Sequence, residues 1–549
     1  MQRVKTFSNK HMYAVLLGGI ILLASCTKSY KNINFDRNSI ATIGPSDLPF
    51  LFSKALSAAP NDYYNYQVAQ NLFADQYAQY FACEATYFPS DRLTIRQDWV
   101  GAAFNPMYTN VMPQLQTIFK NADSATSAEY SMASVWWVYT FHRVTDYWGP
   151  IPYFSAGIPG NSVPYDPQDK IYDDFFKRLT AAAAVLKTHA GENHYGSYDL
   201  VYGGDVNRWI KFCNSLRLRL AIRISKVDPA RAKTEGEAAY AGGVMTTSTP
   251  ISDPTVQTSG DDALVERSTK GSDGNGLQSM SDWNEFRMSA SMSSVLNGYN
   301  DPRLSAYFLP TFNSSASPTP VYQGLRNGLT VNQLTLPPNS HDNNSHVGTR
   351  WASTNIVDKN GNVVGSATSQ STSQNIMSVA EVYFLRAEGA LLGWNMGGTA
   401  KDLYNGGITN SMIQWNITDP VKINAYINST STPIPPGDYL NSPAMTNIPV
   451  LFDPIDPAKQ LEQIMTQKWL AIYPDGMEAW ADYRRSHVVK LYPVANSDNP
   501  DITNTSTQWI RRIPFLLSET QTNGAEVTKA VGLLGGPDKV TTALWWDKN

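Results

Sequence analysis

The sequence predicts a mainly α-helical protein in a single domain, with helical hairpins packed together and an irregular, loop-rich subregion carrying short β hairpins. Three observations lead there. Long runs free of Gly and Pro repeat apolar residues at helical spacing, as in Met132, Val135, Trp136 and Tyr139. The stretch from about 240 to 372 loses that spacing and is rich in Ser, Thr, Gly, Asn and Pro. Over 549 residues, 42% are hydrophobic and 16% charged. That is enough apolar material for a large core and the opposite of a disordered composition.

The same composition narrows the function. Three Cys exclude a disulfide-built scaffold. A formal net charge of −4 speaks against nucleic acid as a partner. Against this low charge stand 29 Tyr, 20 Phe and 14 Trp. So many rings suit either a large aromatic core or a surface that stacks on a flat, uncharged ligand.

In chain order, residues 1–25 come first. Arg3, Lys5 and Lys10 precede an apolar run from Met12 to Leu23. The run is shorter than the roughly 20 residues of a membrane-spanning helix and reads as a secretory signal peptide. Leu23-Ala24-Ser25-Cys26 resembles a bacterial lipobox. It implies that Cys26 becomes the lipidated N-terminus, holding the protein to a membrane through its acyl chains. The competing reading is an ordinary signal peptide with an incidental Cys. Residues 26–44 are polar and read as a tether. Cys83 and Cys213 remain as thiols; Cys213 lies in an apolar pattern that predicts burial, and no bridge between them is expected.

From 45 onward the texture is helical. Leu48, Leu51, Ala55 and Leu56 share one helical face, and Val68, Leu72, Tyr77 and Phe81 another. A polar loop, Phe88 to Arg92, interrupts. Helices are predicted at 128–143, ending before Gly149-Pro150, at 171–188 and at 208–226. The last contains Leu216-Arg217-Leu218-Arg219-Leu220, which alternates like a strand. Seventeen residues without Gly or Pro decide for helix. In the irregular middle, Asn360-Gly361 between Val357 and Val363 predicts a hairpin turn. Helices resume at 375–393, 400–416, 457–473 and 478–485, and the tail from 489 is loop-rich. Pairing 128–143 with 171–188, 208–226 with its neighbours, 375–393 with 400–416, and 457–473 with 478–485 gives hairpins of tetratricopeptide type, irregularly spaced.

Catalytic signatures are missing. The chain has no G-x-x-x-x-G-K-[ST], H-E-x-x-H, G-x-S-x-G or C-x-x-C. Gly271, Gly274 and Gly276 lack the preceding strand of a phosphate cradle and read as a loop. The seven His are scattered, with His11 in the leader and His189 read as a surface residue. No enzyme and no cofactor is expected. The run 357–363 has a calcium-loop look without the rest of the EF-hand spacing, so a structural calcium ion in the Asp- and Asn-rich middle stays open.

Several blocks together carry a family resemblance. Thr145-Asp146-Tyr147-Trp148-Gly149-Pro150-Ile151-Pro152-Tyr153 is one. Trp209 to Leu216, Asp301-Pro302-Arg303-Leu304, Tyr322-Gln323-Gly324 and Ala380 to Glu388 follow in order. Gly476 to Arg485, Arg512-Ile513-Pro514 and Leu544-Trp545-Trp546-Asp547 close the chain. This series resembles the SusD/RagB-type nutrient-binding lipoproteins of Bacteroidetes, from about residue 45 to the C-terminus. The resemblance implies a helical nutrient-binding domain over 45–549. It also implies a lipid-anchored outer-membrane protein facing the cell exterior, and an oligosaccharide ligand passed to a TonB-dependent transporter of the SusC type. Capture of oligopeptides, or a surface scaffold without a nutrient ligand, are the alternatives. One departure concerns orientation: export to the outer face in that group is often associated with acidic residues after the lipidated Cys, and Thr27-Lys28-Ser29-Tyr30-Lys31 are not acidic.

A sugar site needs exposed rings beside polar groups that fix orientation. Two loops fit, and they supply the candidate ligand residues: Tyr87, Phe88, Asp91, Arg92 and Trp99 in the first, and Asp282, Trp283 and Asn284 in the second. Core packing is the competing reading for each ring. Trp148, Tyr153, Trp469, Trp480 and Trp546 lie in the shared blocks and are read as scaffold. Asp146, Asp482, Arg484 and Arg485 are read as caps or buried pairs.

Overall fold

The computed structural model describes residues 43–251, 259–269, 273–352, 356–357, 362–365 and 371–548. The signal peptide, Cys26 and the tether up to residue 42 lie outside the described residues, as does the turn at 358–361. Residues Pro49–Asn549 form one compact unit. Of the preceding unit, Met1–Leu48, the described part is a short 3-10 turn at Pro45–Asp47 ahead of the first helix.

The helices are α1 (Leu48–Ala58), α2 (Gln97–Pro106), α3 (Met112–Asn121), α4 (Ala128–Trp148), α5 (Gln168–Thr188), α6 (Val206–Arg223), α7 (Pro229–Gly242), α8 (Gly276–Trp283), α9 (Ala290–Gly298), α10 (Val379–Leu391), α11 (Ala400–Gln414), α12 (Pro420–Ile427), α13 (Pro457–Ala471), α14 (Gly476–Ser486), α15 (Leu517–Thr522) and α16 (Gly524–Leu533). One-turn helices at Leu304–Tyr307 and Val331–Leu334 add to these, and Gln67–Asp75 winds as a π-helix. Among the described residues six strands, two to four residues long, are present: β1 (Phe81–Cys83), β2 (Ala263–Val265), β3 (Phe286–Met288), β4 (Ile356–Val357), β5 (Val363–Gly365) and β6 (Gln374–Met377). They pair as three separate antiparallel ladders, β1 with β3, β2 with β6 and β4 with β5. The protein is mainly helical, as the sequence predicts. Among the described residues no helix is long and apolar enough to cross a membrane.

Helix ends follow local chemistry. The Ser127 hydroxyl accepts from the Tyr130 amide at 3.0 Å and starts α4; Gly149, at φ 86°, stops it. The Asp205 carboxylate accepts from the Asn207 and Arg208 amides and starts α6. The alternating 216–220 segment is therefore helix. Trp209, Phe212, Cys213, Leu216 and Leu220 are all buried, and so are the free thiols of Cys83 and Cys213.

The expected pairs α4–α5 and α10–α11 pack together, and α6 packs on both α5 and α7. Four expectations need correction. Phe81 is not on a helical face: Gln79, at φ 52°, ends the helix and Phe81 opens β1. Met377 belongs to β6, and the Ser378 hydroxyl caps α10 one residue later. Gly276, in the stretch read as loop, opens α8 behind the capping side chain of Asn275. Trp99, read on a loop, lies in the first turn of α2. The helix α14 packs on the π-helix Gln67–Asp75 and α13 on α10 and α11, and α13 and α14 meet through Lys468 and Asp482.

Where α4, α6, α10, α13 and α14 meet, the core is ionic. Arg219 donates to both carboxylate oxygens of Glu381 at 2.7 Å. Arg223 pairs with Glu478 at 2.6 Å, and with Asp482 and Asp146 at 3.3 Å. Arg485 holds Glu388 at 2.6 Å and Asp482 at 3.1 Å, and Lys468 reaches Asp482. Burial alone would raise the Asp482 carboxyl, but Lys468, Arg485 and Arg223 hold it well below the ordinary range. Asp146 also accepts from the Tyr172 hydroxyl at 2.7 Å and the Trp546 indole at 2.8 Å, which ties the C-terminus to α4 and α5. Arg484 lies 3.4 Å from the Trp480 ring centroid and donates to the Asp146 carbonyl at 2.7 Å. Trp148, Tyr153, Trp469, Trp480 and Trp546 are all buried. These aromatic and charged residues are scaffold, as read from the sequence.

Candidate functional site

The two candidate loops are separated by almost two hundred residues, and the β1–β3 ladder brings them together. Phe81, Ala82 and Cys83 face Met288, Arg287 and Phe286, so the chain leaving β1 lies beside the chain entering β3. The contact continues past the strands: the amides of Glu84 and Ala85 donate to the Glu285 carbonyl at 3.0 and 3.3 Å. Tyr87 and Trp283 therefore emerge at the same end of the ladder.

Local geometry explains why both rings are exposed. The helix α8 ends at Trp283 because Asn284 adopts the left-handed conformation at φ 59°, the usual termination of a helix by Asn or Gly. Its first turn lies against Tyr66; a Cβ on Gly276 would stand 2.1 Å from the Tyr66 Cβ. The opposite end of α8 is left at the surface. Trp283 is 47% exposed and Tyr87 67%.

Tyr87 and Phe88 on the first loop and Trp99, which lies in the first turn of α2 and not on the loop, form an unbroken row of edge-to-face rings, with centroids 4.7 and 5.6 Å apart. Phe88 and Trp99 are half-buried, and the Arg96 guanidinium covers Trp99 at 4.6 Å. Polar groups lie beside the rings. The Tyr87 hydroxyl donates to one carboxylate oxygen of Glu285, and the Gln67 amide donates to the other. Burial raises the Glu285 carboxyl above its ordinary value, an effect opposed by these two donors. Desolvation, reinforced by Glu285, also raises the Tyr87 hydroxyl, so the phenol stays a donor. The Asn284 side chain contacts His341 Nε2, whose Nδ1 lies 2.9 Å from Asp342. Beneath them the buried Arg287 pairs with Glu84 at 2.9 Å.

Four residues of this surface escaped the sequence reading as site residues: Tyr64, Gln67, Glu285 and His341. Tyr64 is 63% exposed and meets Tyr63 edge-to-face at 5.3 Å; Ser279 of α8 donates to the Tyr63 carbonyl at 3.1 Å. Tyr63-Tyr64 in a polar stretch was the available signal.

Two expected ligand residues belong elsewhere. Asp91 is buried, and its oxygens accept from the Asn327 side chain and the Gly328 amide, each at 2.8 Å. Burial pushes its carboxyl up to about 6 despite those donors. Arg92 is buried and donates to Asp498 at 2.6 Å. Both pin the loop to segments 327–329 and 498, so the loop is polar in composition but its charges point inward. The side chain of Asp282 lies outside the described residues.

Two clefts of about 430 and 410 Å³ open elsewhere. Neither is lined by Tyr87 or Trp283. In the larger, Phe104 lies against Tyr108 at 4.6 Å, and the Tyr108 hydroxyl is committed to the Pro152 carbonyl at 2.8 Å. Its rings therefore offer less free face than the ladder-end surface.

A helical-hairpin scaffold that exposes rings on a loop and at a helix end beside fixed polar groups has the form of a binding protein. Comparison with known proteins gives its family. A family model described as SusD-like, the SusD and RagB outer membrane lipoproteins, matches residues 46–547, and the chain belongs to that family. Among solved structures it is similar to a chitin-binding SusD homologue from Flavobacterium johnsoniae, at 32% identity and a TM-score of 0.78, covering 91% of this chain and 98% of that one. It is similar to a SusD homologue from Bacteroides vulgatus at 29% identity and a TM-score of 0.78, with the same coverage. A third, from Bacteroides thetaiotaomicron, matches at 27% identity and a TM-score of 0.76, covering 92% and 99%. No curated protein matches the chain.

Proposed function

We propose that this protein is a non-catalytic, lipid-anchored glycan-binding protein of the outer membrane, exposed to the cell exterior, that captures oligosaccharide and delivers it to a TonB-dependent transporter of the SusC type. The observation that carries this is the pair of exposed rings, Tyr87 and Trp283, placed at one end of the β1–β3 ladder around Glu285. The C–H faces of a sugar stack on such rings, and the Gln67, Glu285 and Asn284 side chains fix its hydroxyls. The chitin-binding relative supports N-acetylated sugars as the first ligands to try.

The test is calorimetric titration of the chain from Thr27 onward with a panel of oligosaccharides, chitin oligomers included, and with oligopeptides. Saturable sugar binding that Trp283→Ala weakens at least about tenfold (roughly 1.4 kcal/mol) supports the site. Sugar binding indifferent to Trp283→Ala and Tyr87→Ala together discards it. A response to peptides alone replaces the glycan reading, and release of reducing ends from any substrate overturns the non-catalytic one.

A further inference from the structure

At the end of α4 opposite Trp148, a second constellation of side chains shares no residue with the ladder-end surface. His189 and His194 both turn an imidazole nitrogen onto the same carboxylate oxygen of Glu192: His189 Nδ1 at 2.8 Å and His194 Nε2 at 2.8 Å. The three ligating atoms lie within 4.8 Å of one another. The outer nitrogen of each ring is also held. His189 Nε2 is 2.7 Å from the Thr126 carbonyl, and His194 Nδ1 is 2.7 Å from Glu129. Glu129 is fixed in turn by the Ser127 hydroxyl, which donates to its other oxygen at 2.8 Å.

We propose that His189, Glu192 and His194 form a binding site for a divalent transition metal, zinc above all. Two imidazoles and a carboxylate are the ligand types zinc takes, whereas calcium and magnesium prefer all-oxygen sets. The outer contacts supply an independent observation. A metal-bound His donates its remote N–H to a carboxylate or a backbone carbonyl, and both acceptors are already in place here, one of each kind. They set the tautomer that leaves the inner nitrogens as ligands once a metal displaces their protons. The backbone is fixed as well. The His194 amide donates to the Gly204 carbonyl at 3.0 Å, and a Cβ on Gly204 would stand 2.4 Å from the His194 carbonyl. Glu192 is exposed, so an ion has access from solvent and a water molecule would complete its shell.

The site would be structural in effect. His189 follows the last residue of α5, and His194 precedes the start of α6; Thr126 and Glu129 flank the start of α4. An ion there would tie the α5–α6 turn to the first turn of α4, so binding should raise the unfolding temperature.

The experiment is titration of the purified, chelator-treated mature protein with zinc chloride by calorimetry, with calcium and magnesium chloride as comparisons. One saturable zinc site is expected, weakened at least about tenfold by His189→Ala or His194→Ala and about 10- to 100-fold by Glu129→Gln, which keeps all three ligands. Zinc should raise the unfolding temperature of the parent protein and not of the His189→Ala/His194→Ala variant. If that variant fails to fold, zinc protection of both histidines from diethyl pyrocarbonate in the parent protein takes its place. Zinc binding undiminished in the double variant, no saturable zinc binding to the parent, or no protection of the histidines overturns the proposal.

Discussion

Tyr87 and Glu285 stand 198 positions apart and share a hydrogen bond across the two loops that flank the β1–β3 ladder. The bond holds the most exposed ring of the surface in a set direction. Tyr87→Phe keeps the ring and frees its tip, whereas Tyr87→Ala removes the stacking face. Affinity for the oligosaccharide ligand should therefore fall only a few-fold in the first and by about tenfold or more in the second, measured by calorimetry.

Asp91 belongs to the scaffold. Asp91→Ala leaves the Asn327 side chain and the Gly328 amide without their buried acceptor. It should cost about 1–3 kcal/mol of stability in denaturant unfolding. Ligand affinity of the folded variant should stay unchanged, in contrast to Tyr87→Ala.

Asp482 is surrounded by Lys468, Arg223 and Arg485. In Asp482→Ala, Arg223 keeps Glu478 and Arg485 keeps Glu388, but buried Lys468 loses its nearest carboxylate, and breaking a buried pair costs about 3–5 kcal/mol. A loss of unfolding free energy of that size, read from denaturant curves, is expected, with loss of folding altogether as the extreme.

Asp75 gives the protein an acid-side preference. It accepts from the Tyr66 hydroxyl at 2.9 Å and from Gln70 at 3.0 Å, yet burial pushes its carboxyl up to about 7 from an ordinary 3.8. Between those values the folded state holds a proton that the unfolded chain has lost. Its contribution is full below about pH 4 and disappears as pH rises through 7. Asp75→Asn cannot ionise. Relative to that variant, the parent protein should lose up to about 4 kcal/mol between pH 4 and 8, read from unfolding curves across that range.

How much of this was legible in the sequence depended on what each element buries. The helices α4, α5 and α6 bury large side chains at regular intervals, and periodicity found them. The helix α7 was missed although Asp228 and Pro229 mark its start. Its buried face is Ala232, Gly236 and Ala239, too small to register as a hydrophobic stripe. Small residues are needed there because a Cβ on Gly236 would come within 2.5 Å of the Trp394 ring. The aromatic loops were found from their composition, but Gln67, Glu285 and His341 were not. Their partnership with the rings depends on a three-residue ladder between distant segments, which leaves no local periodicity. Asp91 and Arg92 show the converse: a polar loop composition does not reveal which way its charges point.

The ionic core sets a limit on how the architecture can change. In a true solenoid, repeats contact only their neighbours, and copies can be added or removed at modest cost. Here Arg223 of α6 is neutralised from α4 and α14, and Glu388 of α10 by Arg485 of α14. Each hairpin carries charges whose counter-ions reside on others far along the chain. Deleting or duplicating one would strand a charge inside the protein, so the hairpin number is locked. Length variation is left to connecting segments, such as the loop that carries Tyr87.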